Sequence, residues 1–217
     1  MILVTGFKGY GGRDTNPAAQ LAMSLNGANI AGQNVTARLF PVDMAFVAKE
    51  IPAVLDELKP ELILSFGLWP GEPMLRLEQT AVNFSRFELP DSKGQKSHGI
   101  ICEEGPAAYP TGLPIEAIQK ALRTDCLPCR ISGTAGSYVC NALFYIMSNE
   151  CERRGHGRVG FMHLPYLPEQ VATLLNDVEA NEELEQHQRS DLASMSFEMM
   201  ARGARLALKC AVENKHE

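Results

Sequence analysis

Apolar and polar positions along the chain follow two patterns, one typical of strands and one of helices. Continuous apolar runs at residues 2–4 and 62–66 indicate central strands covered on both faces. Residues 35–40 and 75–84 alternate instead, which also predicts strands, whereas apolar side chains recur with helical period at residues 46–58. Strands therefore alternate with helices. This order predicts an α/β fold, a three-layer α/β/α sandwich with a mostly parallel central sheet.

The second half of the chain continues the alternation after a long irregular segment. Residues 88–114 are rich in Gly, Pro, Ser and charged side chains without periodicity, so we expect an ordered functional loop or flap. A tight loop at 132–136 leads into a helix predicted over 137–154, and a strand follows at 159–162. With 217 residues, a single domain over 1–217 can bury a full core.

Charge and cysteine content narrow the function classes. The net charge is -6 and no Lys/Arg run occurs, which argues against a nucleic-acid partner. No apolar stretch is long enough for a signal peptide or a membrane span, so we expect a soluble, cytoplasmic protein. Free thiols fit that reducing compartment better than disulfides for the six irregularly spaced cysteines.

Cys140 is the cysteine with a reactive setting. It follows a glycine-rich loop and lies in the first turns of the predicted helix, where unpaired N–H groups and the helix dipole favour a thiolate. The alternative is a buried structural cysteine, the commonest state of a free thiol. Position alone leaves both interpretations open.

His163 and Glu78 are the candidate partners of that thiol. His163 follows the strand at 159–162, where it can act as a general base, or simply be hydrogen-bonded by neighbouring backbone. Glu78 can orient an imidazole through its second nitrogen, or be an exposed strand residue paired with Arg76 on the same face. Asp91, after a proline, is a second carboxylate that also suits an ordinary turn.

Two other motifs suggest cofactors but fit them poorly. The glycine-rich loop at 6–12 fails the dinucleotide pattern because Asp14 occupies its last position, and no Gly-Lys-Ser/Thr follows for a phosphate loop. Its Phe7 and Tyr10 are better suited to gripping a small uncharged ring. Cys126 and Cys129 form a lone C-x-x-C without a second pair at zinc spacing, so an incidental pair is expected.

Four segments together resemble the pyroglutamyl peptidase I family, also called pyrrolidone-carboxylate peptidases. They occur in the family's order and span most of the chain through Gln170. Their sequences are Val-Thr-Gly-Phe at 4–7 with Gly11-Gly12 and Asn16-Pro17; Glu78 with Ala-Val-Asn at 81–83; Ser-Gly-Thr-Ala-Gly-Ser-Tyr-Val-Cys-Asn at 132–141; and Gly-Phe-Met-His-Leu-Pro-Tyr-Leu-Pro-Glu-Gln at 160–170.

The resemblance implies a Cys–His–Glu triad that removes an N-terminal pyroglutamyl residue from peptides. Cys140 would be the nucleophile, His163 the base and then the acid, and Glu78 the orienting carboxylate, with Asp91 in support. It also implies an α/β/α sandwich, a homo-oligomer, N-terminally blocked peptides as substrates, and no cofactor or metal. The residues that it implies for lining the lactam pocket are Phe7, Tyr10, Val139 and Leu68.

The chain departs from the family pattern around the substrate. Leu68 replaces a glutamine that helps to bind the lactam, Glu72 reverses a charge, and Arg86 and Glu88 exchange the charges of an Asp and an Arg. Two alternatives therefore stay open beside pyroglutamyl hydrolysis. One is the same thiol hydrolase acting on another capped or cyclic amide, and the other is a binding protein that has lost catalysis.

Overall fold

A computed structural model describes residues 1–10, 15–181 and 192–214. Among the described residues, no helix combines the length and the apolar character needed to cross a bilayer. The strands are β1 (Ile2–Phe7), β2 (Asn29–Ile30), β3 (Gln33–Phe40), β4 (Leu62–Leu68), β5 (Leu75–Glu78), β6 (Thr80–Val82), β7 (Ser85–Arg86), β8 (His98–Gly99), β9 (Ala108–Pro110), β10 (Cys129–Ser132) and β11 (Arg158–Leu164). The helices are α1 (Pro17–Leu25), α2 (Met44–Leu58), α3 (Ile115–Thr124), α4 (Val139–Arg154), α5 (Pro168–Asn181) and α6 (Phe197–Glu213).

A seven-stranded mixed sheet forms the centre of the molecule. Its order is β10-β5-β11-β4-β1-β3-β2. Strands β1, β3, β4 and β11 run parallel to their neighbours in this group, whereas β5 is antiparallel to β11 and β10 is parallel to β5. The predicted α/β fold with a mostly parallel sheet is confirmed, with β5, β10 and the short edge strand β2 running in the opposite direction.

Helices cover both faces of the sheet and produce two separate apolar cores. Helices α1, α3 and α6 pack on one face, around alternate side chains such as Val4 and Leu64. On the opposite face α2 and α4 pack over the intervening side chains, which include Leu3, Ile63 and Phe161. Because both faces are covered, β1 is buried along its whole length, as its continuous apolar pattern predicts.

Local capping explains where two of the helices begin. The Asn16 side chain accepts a hydrogen bond from the Ala18 amide at 3.0 Å, and Pro17 occupies the first position of α1. Asp43 caps α2 by accepting from the Phe46 amide at 2.9 Å. Helix α4 instead begins at Val139 without a side-chain cap, two residues later than predicted.

Residues 75–84 form two strands where the alternation predicts one. The chain leaves the central sheet at Gln79, whose amide donates to Ser132 O at 2.8 Å and whose carbonyl accepts from the Thr111 amide at 2.7 Å. Beyond this point β6 pairs with β9 in a separate two-stranded sheet. The predicted flap over 88–114 contains β8 and β9, which pair back to β7 and β6, so it is an ordered segment.

Candidate active site

Cys140 lies in the first turn of α4, as the sequence predicts. The amides of a first helical turn have no partner within the helix, and no side chain caps this one. The neighbouring Asn141 is fully buried and fastens the turn to β6, because its side chain accepts from the Val82 amide at 2.9 Å and donates to the carbonyls of Val82 and Phe84 at 2.9 and 3.0 Å. The position of the thiol is therefore set by contacts on both sides of the helix start.

Cys140 and His163 meet above a glycine of the central sheet. Gly67 in β4 lies opposite His163 in β11, on the face that α4 covers. A Cβ atom on Gly67 would lie 2.9 Å from Cys140 Sγ and 3.0 Å from His163 Cδ2. Both groups thus border the same small space, and the absence of a side chain at Gly67 lets them approach each other.

Glu78 contacts the opposite side of the imidazole. In the antiparallel pair of β5 and β11, Glu78 lies across from Phe161, so it is diagonal to His163 on the same face. Its Oε1 is 2.7 Å from His163 Nδ1. A carboxylate only accepts hydrogen bonds, so Nδ1 carries the proton and Nε2 is left with a lone pair. The three predicted triad residues are brought together.

Burial governs the protonation of the pair. It raises the pKa of the Cys140 thiol to about 12, and the negative charge of Glu78 acts in the same direction. Burial also lowers the pKa of His163, and the hydrogen bond that the imidazole donates to Glu78 offsets part of that shift. Both shifts favour a neutral thiol and a neutral imidazole in the free protein, against the thiolate that the helix position favours, because desolvation outweighs the amides of the first helical turn.

A charged cluster that the sequence reasoning largely missed surrounds Glu78. Arg76 donates from Nε to Glu78 Oε1 at 2.6 Å, so their pairing on one strand face is correct, but Glu78 is fully buried and not exposed. Glu72 is also buried, between Arg76 at 3.8 Å and Arg130 at 2.5 Å. The ring of Trp69 lies between Arg76 and His163, and no feature of the sequence marked it.

The pocket beside Cys140 has two lobes. One is mainly apolar, measures about 480 Å³, and is lined by Phe7, Val42, Val139 and Tyr166 among others. The other measures about 440 Å³ and is lined by His163, Trp69, Arg86 and Glu88 among others. The residues that line both lobes are Tyr10, Leu68, Pro70, Leu89, Tyr138 and Cys140. All four residues predicted for the lactam pocket line the apolar lobe.

Asp91 supports a loop instead of contacting the triad. Its Oδ1 accepts from the amides of Lys93 and Gln95, each at 2.9 Å. The preceding carbonyl of Pro90 accepts a hydrogen bond from the Tyr138 hydroxyl at 2.9 Å and another from the Tyr10 hydroxyl. Asp91 therefore orders the loop, and the two tyrosines attach that loop to the pocket.

None of the other described histidines and cysteines lines the pocket beside Cys140. His98 and His156 are exposed, as expected of solvated residues, whereas His187, His216, Gly11 and Gly12 lie outside the described residues. All six cysteines are described, and none of them forms a disulfide; Cys126 is exposed and Cys129 is buried. Within the described ranges, no group of His, Cys, Asp and Glu side chains is arranged to hold a metal ion.

Comparison with known proteins identifies the same relatives by sequence and by structure. The sequence profile of the family described as pyroglutamyl peptidase matches residues 1–214. A pyrrolidone-carboxylate peptidase of Chromobacterium violaceum is 39% identical over 171 residues, which cover 78% of this chain and 80% of the relative. The pyrrolidone-carboxylate peptidase of Pyrococcus furiosus is 32% identical over 214 residues and 98% of both chains.

Solved structures extend the similarity to the fold. A mutant pyrrolidone carboxyl peptidase from Pyrococcus furiosus superposes with a TM-score of 0.90 at 32% identity, covering 98% of each chain. The pyroglutamyl peptidase I of Bacillus amyloliquefaciens gives a TM-score of 0.87 at 30% identity, covering 99% of this chain and 95% of its own. The arrangement of sheet and helices described above is thus shared along nearly the whole chain.

Proposed function

The chain belongs to the pyroglutamyl peptidase family, and on that premise we propose that Cys140, His163 and Glu78 carry out its hydrolysis. It is a cysteine peptidase of the pyroglutamyl peptidase I type. The observation that carries the assignment of residues is their convergence. Glu78 Oε1 is 2.7 Å from His163 Nδ1, and the other edge of that ring borders the same space above Gly67 as Cys140 Sγ. The nucleophile, the base and the orienting carboxylate are therefore neighbours in space, in that order.

The neutral resting pair defines the first chemical step. His163 Nε2 accepts the thiol proton as Cys140 Sγ attacks the carbonyl carbon, so that a C–S bond forms and the carbonyl oxygen becomes an oxyanion. The resulting imidazolium is stabilised by the Glu78 carboxylate. We assign the oxyanion to the amides in the first turn of α4, which no side chain caps.

The same imidazole then returns its proton. His163 protonates the departing amine as the C–N bond breaks, which leaves a thioester on Cys140 and releases the shortened peptide. Water attacks the thioester with His163 again as the base, and the C–S bond breaks to free the acid. Each proton that leaves the thiol or the water thus passes through Nε2.

The two lobes of the pocket suit the two sides of the scissile bond. We assign the lactam ring of an N-terminal pyroglutamyl residue to the apolar lobe, with Phe7, Tyr10, Val139 and Leu68 as its walls. An uncharged ring is favoured there because a charged α-amine would have to be desolvated against apolar side chains. The rest of an N-terminally blocked peptide then extends through the lobe that contains Trp69.

Release of a fluorophore from a pyroglutamyl conjugate tests this assignment. Cys140→Ser should lower turnover by about 10³-fold or more, because the hydroxyl is a much weaker nucleophile at this site. Cys126→Ser is the matched control, since Cys126 is exposed and remote in sequence from the pocket, and it should retain wild-type turnover. Equal activity of the Cys140→Ser and wild-type proteins would remove Cys140 from the mechanism.

A second substrate class is favoured by the residues around Cys140. Leu68 lines both lobes, and Arg86 and Glu88 line one, so three of the four residues that depart from the family pattern border the pocket. Glu72, the fourth, is instead paired with Arg76 and Arg130. Another N-terminal cap or small cyclic amide is therefore the alternative substrate. A panel of capped dipeptides separates the two, because ordinary KM values for pyroglutamyl dipeptides would make the alternative unnecessary.

Assembly and location complete the proposal. We assign the protein to a cytoplasmic homo-oligomer. The absence of disulfides among the six cysteines is consistent with a reducing compartment, and apolar side chains such as Leu89 and Ile100 are available at the surface for contacts between copies. Light scattering of the purified protein, which would give a monomer mass if this is wrong, tests the assembly.

A further inference from the structure

One buried guanidinium shares a carboxylate oxygen with the imidazole of the site. Arg76 Nε donates to Glu78 Oε1 at 2.6 Å, and His163 Nδ1 lies 2.7 Å from the same oxygen. Among the described residues, the second oxygen of Glu78 has no hydrogen-bond partner. The orientation of this carboxylate therefore depends on Oε1, which accepts hydrogen bonds from both Arg76 and His163.

The same guanidinium reaches the two other components of the site. Arg76 Nη2 donates to Thr134 O at 3.0 Å, within the loop that leads into the Cys140 helix. Its guanidinium carbon lies 3.7 Å from the ring centre of Trp69, and that indole meets the His163 ring edge-on at 4.9 Å between centroids. Arg76 thus contacts the carboxylate, the loop and the aromatic neighbour of the imidazole.

We propose that Arg76 is a positioning residue that fixes the Glu78–His163 pair through its bond to Glu78. Trp69, which contacts both Arg76 and the imidazole, provides the second link between them. This inference rests on the proposed function, because it assigns a role to the groups behind that triad. Arg76 acts through Glu78 and Trp69, since it lies behind the wall of the pocket and its side chain is only 11% exposed. Its planar fork can bond Glu78 and Thr134 while its face stacks on the indole, which a lysine cannot do.

The charge of Arg76 has a separate, measurable consequence for His163. A nearby cation opposes protonation of the imidazole and contributes to its lowered pKa, whereas Glu78 and Glu72 act in the opposite direction. Removal of the Arg76 charge should therefore raise the pKa of His163. The other charged or titratable groups that face the ring or line its lobe are Cys140 on α4, Arg86, Glu88, Tyr10 and Tyr138, and all of them remain in the variants below.

Arg76→Gln is the principal variant, with Arg76→Lys as the conservative one. Arg130→Gln is the matched control, because it removes an equal charge that is bonded to Glu72 instead of Glu78. We expect Arg76→Gln to lower kcat by about 10- to 100-fold, the usual effect of losing a group that orients a functional side chain, with KM changed far less. Arg76→Lys should recover part of that loss because it keeps the charge.

The pH dependence separates positioning from general loss of structure. In Arg76→Gln the acid limb of kcat/KM should move to higher pH, and in Arg76→Lys and Arg130→Gln it should stay near its wild-type position. Trp69 is the one tryptophan of the chain, so its fluorescence, which a neighbouring imidazolium quenches, reports the same titration. Measured in a Cys140→Ser background, the emission midpoint should shift in the same direction.

Different results would contradict the role of Arg76 and the role of the triad. An active wild type and an inactive Cys140→Ser, with wild-type kcat and acid limb in Arg76→Gln, would overturn the role of Arg76 and leave the triad intact. A lower melting temperature with unshifted kcat, acid limb and emission midpoint would also overturn it. If Arg76→Gln does not fold, Arg76→Lys decides, because an unchanged kcat in that variant contradicts the need for the planar fork.

Discussion

The two walls that meet at Cys140 are built in different ways. On the side of His163 the wall is polar and buried, and its groups are joined by hydrogen bonds such as those of Glu78 with His163 and Arg76 at 2.7 and 2.6 Å. On the other side the wall is mainly apolar, with Phe7 and Val139 among its buried members. The first wall fixes the positions of the proposed catalytic side chains on strands of the central sheet. The second wall provides the space and the shape that a substrate would fit. We therefore expect changes in the first wall to act on kcat and changes near the second to act on KM.

The largest effect is expected from Glu78→Gln. Loss of the carboxylate that stabilises the imidazolium should reduce kcat by about 10³- to 10⁴-fold. Because Glu78 raises the pKa of His163 against the effect of burial, its removal should lower that pKa further. The acid limb of the remaining activity should then move to lower pH, opposite in sign to Arg76→Gln.

Glu150→Gln is the control for that variant, since Glu150 is another largely buried carboxylate paired with arginines on α4. Steady-state assays between acid and neutral pH measure both kcat and the position of the acid limb. An unshifted acid limb in Glu78→Gln would show that the carboxylate is not coupled to the base.

Gly67→Ala tests the space that the two walls share. A methyl group there would lie 2.9 Å from Cys140 Sγ and 3.0 Å from His163 Cδ2, so one of them must move. A displacement of about 1 Å at a reacting group can cost about 10²-fold, and we expect a loss of that order in kcat.

Gly133→Ala is the matched substitution in the loop before α4, because a methyl group there would meet nothing within 4 Å. Its kcat should stay within about twofold of wild type, as expected of a substitution at the surface that creates no clash. Equal losses in the two alanine variants would contradict the crowding argument.

A smaller effect, mainly on KM, is expected from Asp91→Ala. Two backbone amides, those of Lys93 and Gln95, lose their acceptor, which loosens the loop that carries Pro90. Removal of such an acceptor costs about 1–3 kcal/mol locally, and only part of it reaches the substrate, so KM should rise by about 5- to 10-fold. Asp91→Asn keeps the accepting oxygen and should restore most of the affinity; a KM that is equally raised in both variants would assign the role to the charge instead.

The smallest effect on KM is expected from the two tyrosines whose hydroxyls donate hydrogen bonds to the carbonyl of Pro90. Either Tyr10→Phe or Tyr138→Phe leaves one hydroxyl on the carbonyl, so each should raise KM by only about two- to threefold, at the low end of one hydrogen bond. The double variant leaves the carbonyl without either donor and should exceed the product of the single effects. Multiplicative KM values across the four proteins would show that the two hydroxyls act independently.

The sequence was most informative where one pattern covers one element. Continuous apolar runs predict β1 and β4, and the helical period of the apolar side chains at residues 46–58 predicts α2. It was less informative at residues 75–84, because alternation cannot show that a strand leaves one sheet for another at Gln79. His163 was likewise expected after its strand and lies within β11, whose bounds depend on pairing with β4 and β5.

For the site, the sequence identified residues but not their electrostatic state. The glycine-rich loop before Cys140 and the strand before His163 made both residues candidates, and the family resemblance of the surrounding segments selected them. The preference for a thiolate counted the start of α4 and not the burial that raises the pKa of Cys140 to about 12. Trp69 had no signal of its own, since a tryptophan in a turn gains its role only from the groups packed against it.

By itself, the sequence determined the order of strands and helices, the family, and the residues Cys140, His163 and Glu78. The tertiary structure alone decided that β5 runs antiparallel to β11, which sets Glu78 diagonal to His163, and that Arg76 lies behind both. The physical reason is that element type follows from local periodicity and capping. Register, burial and the charges around a buried group arise from residues far apart in the chain, and they exist only once the sheet is assembled.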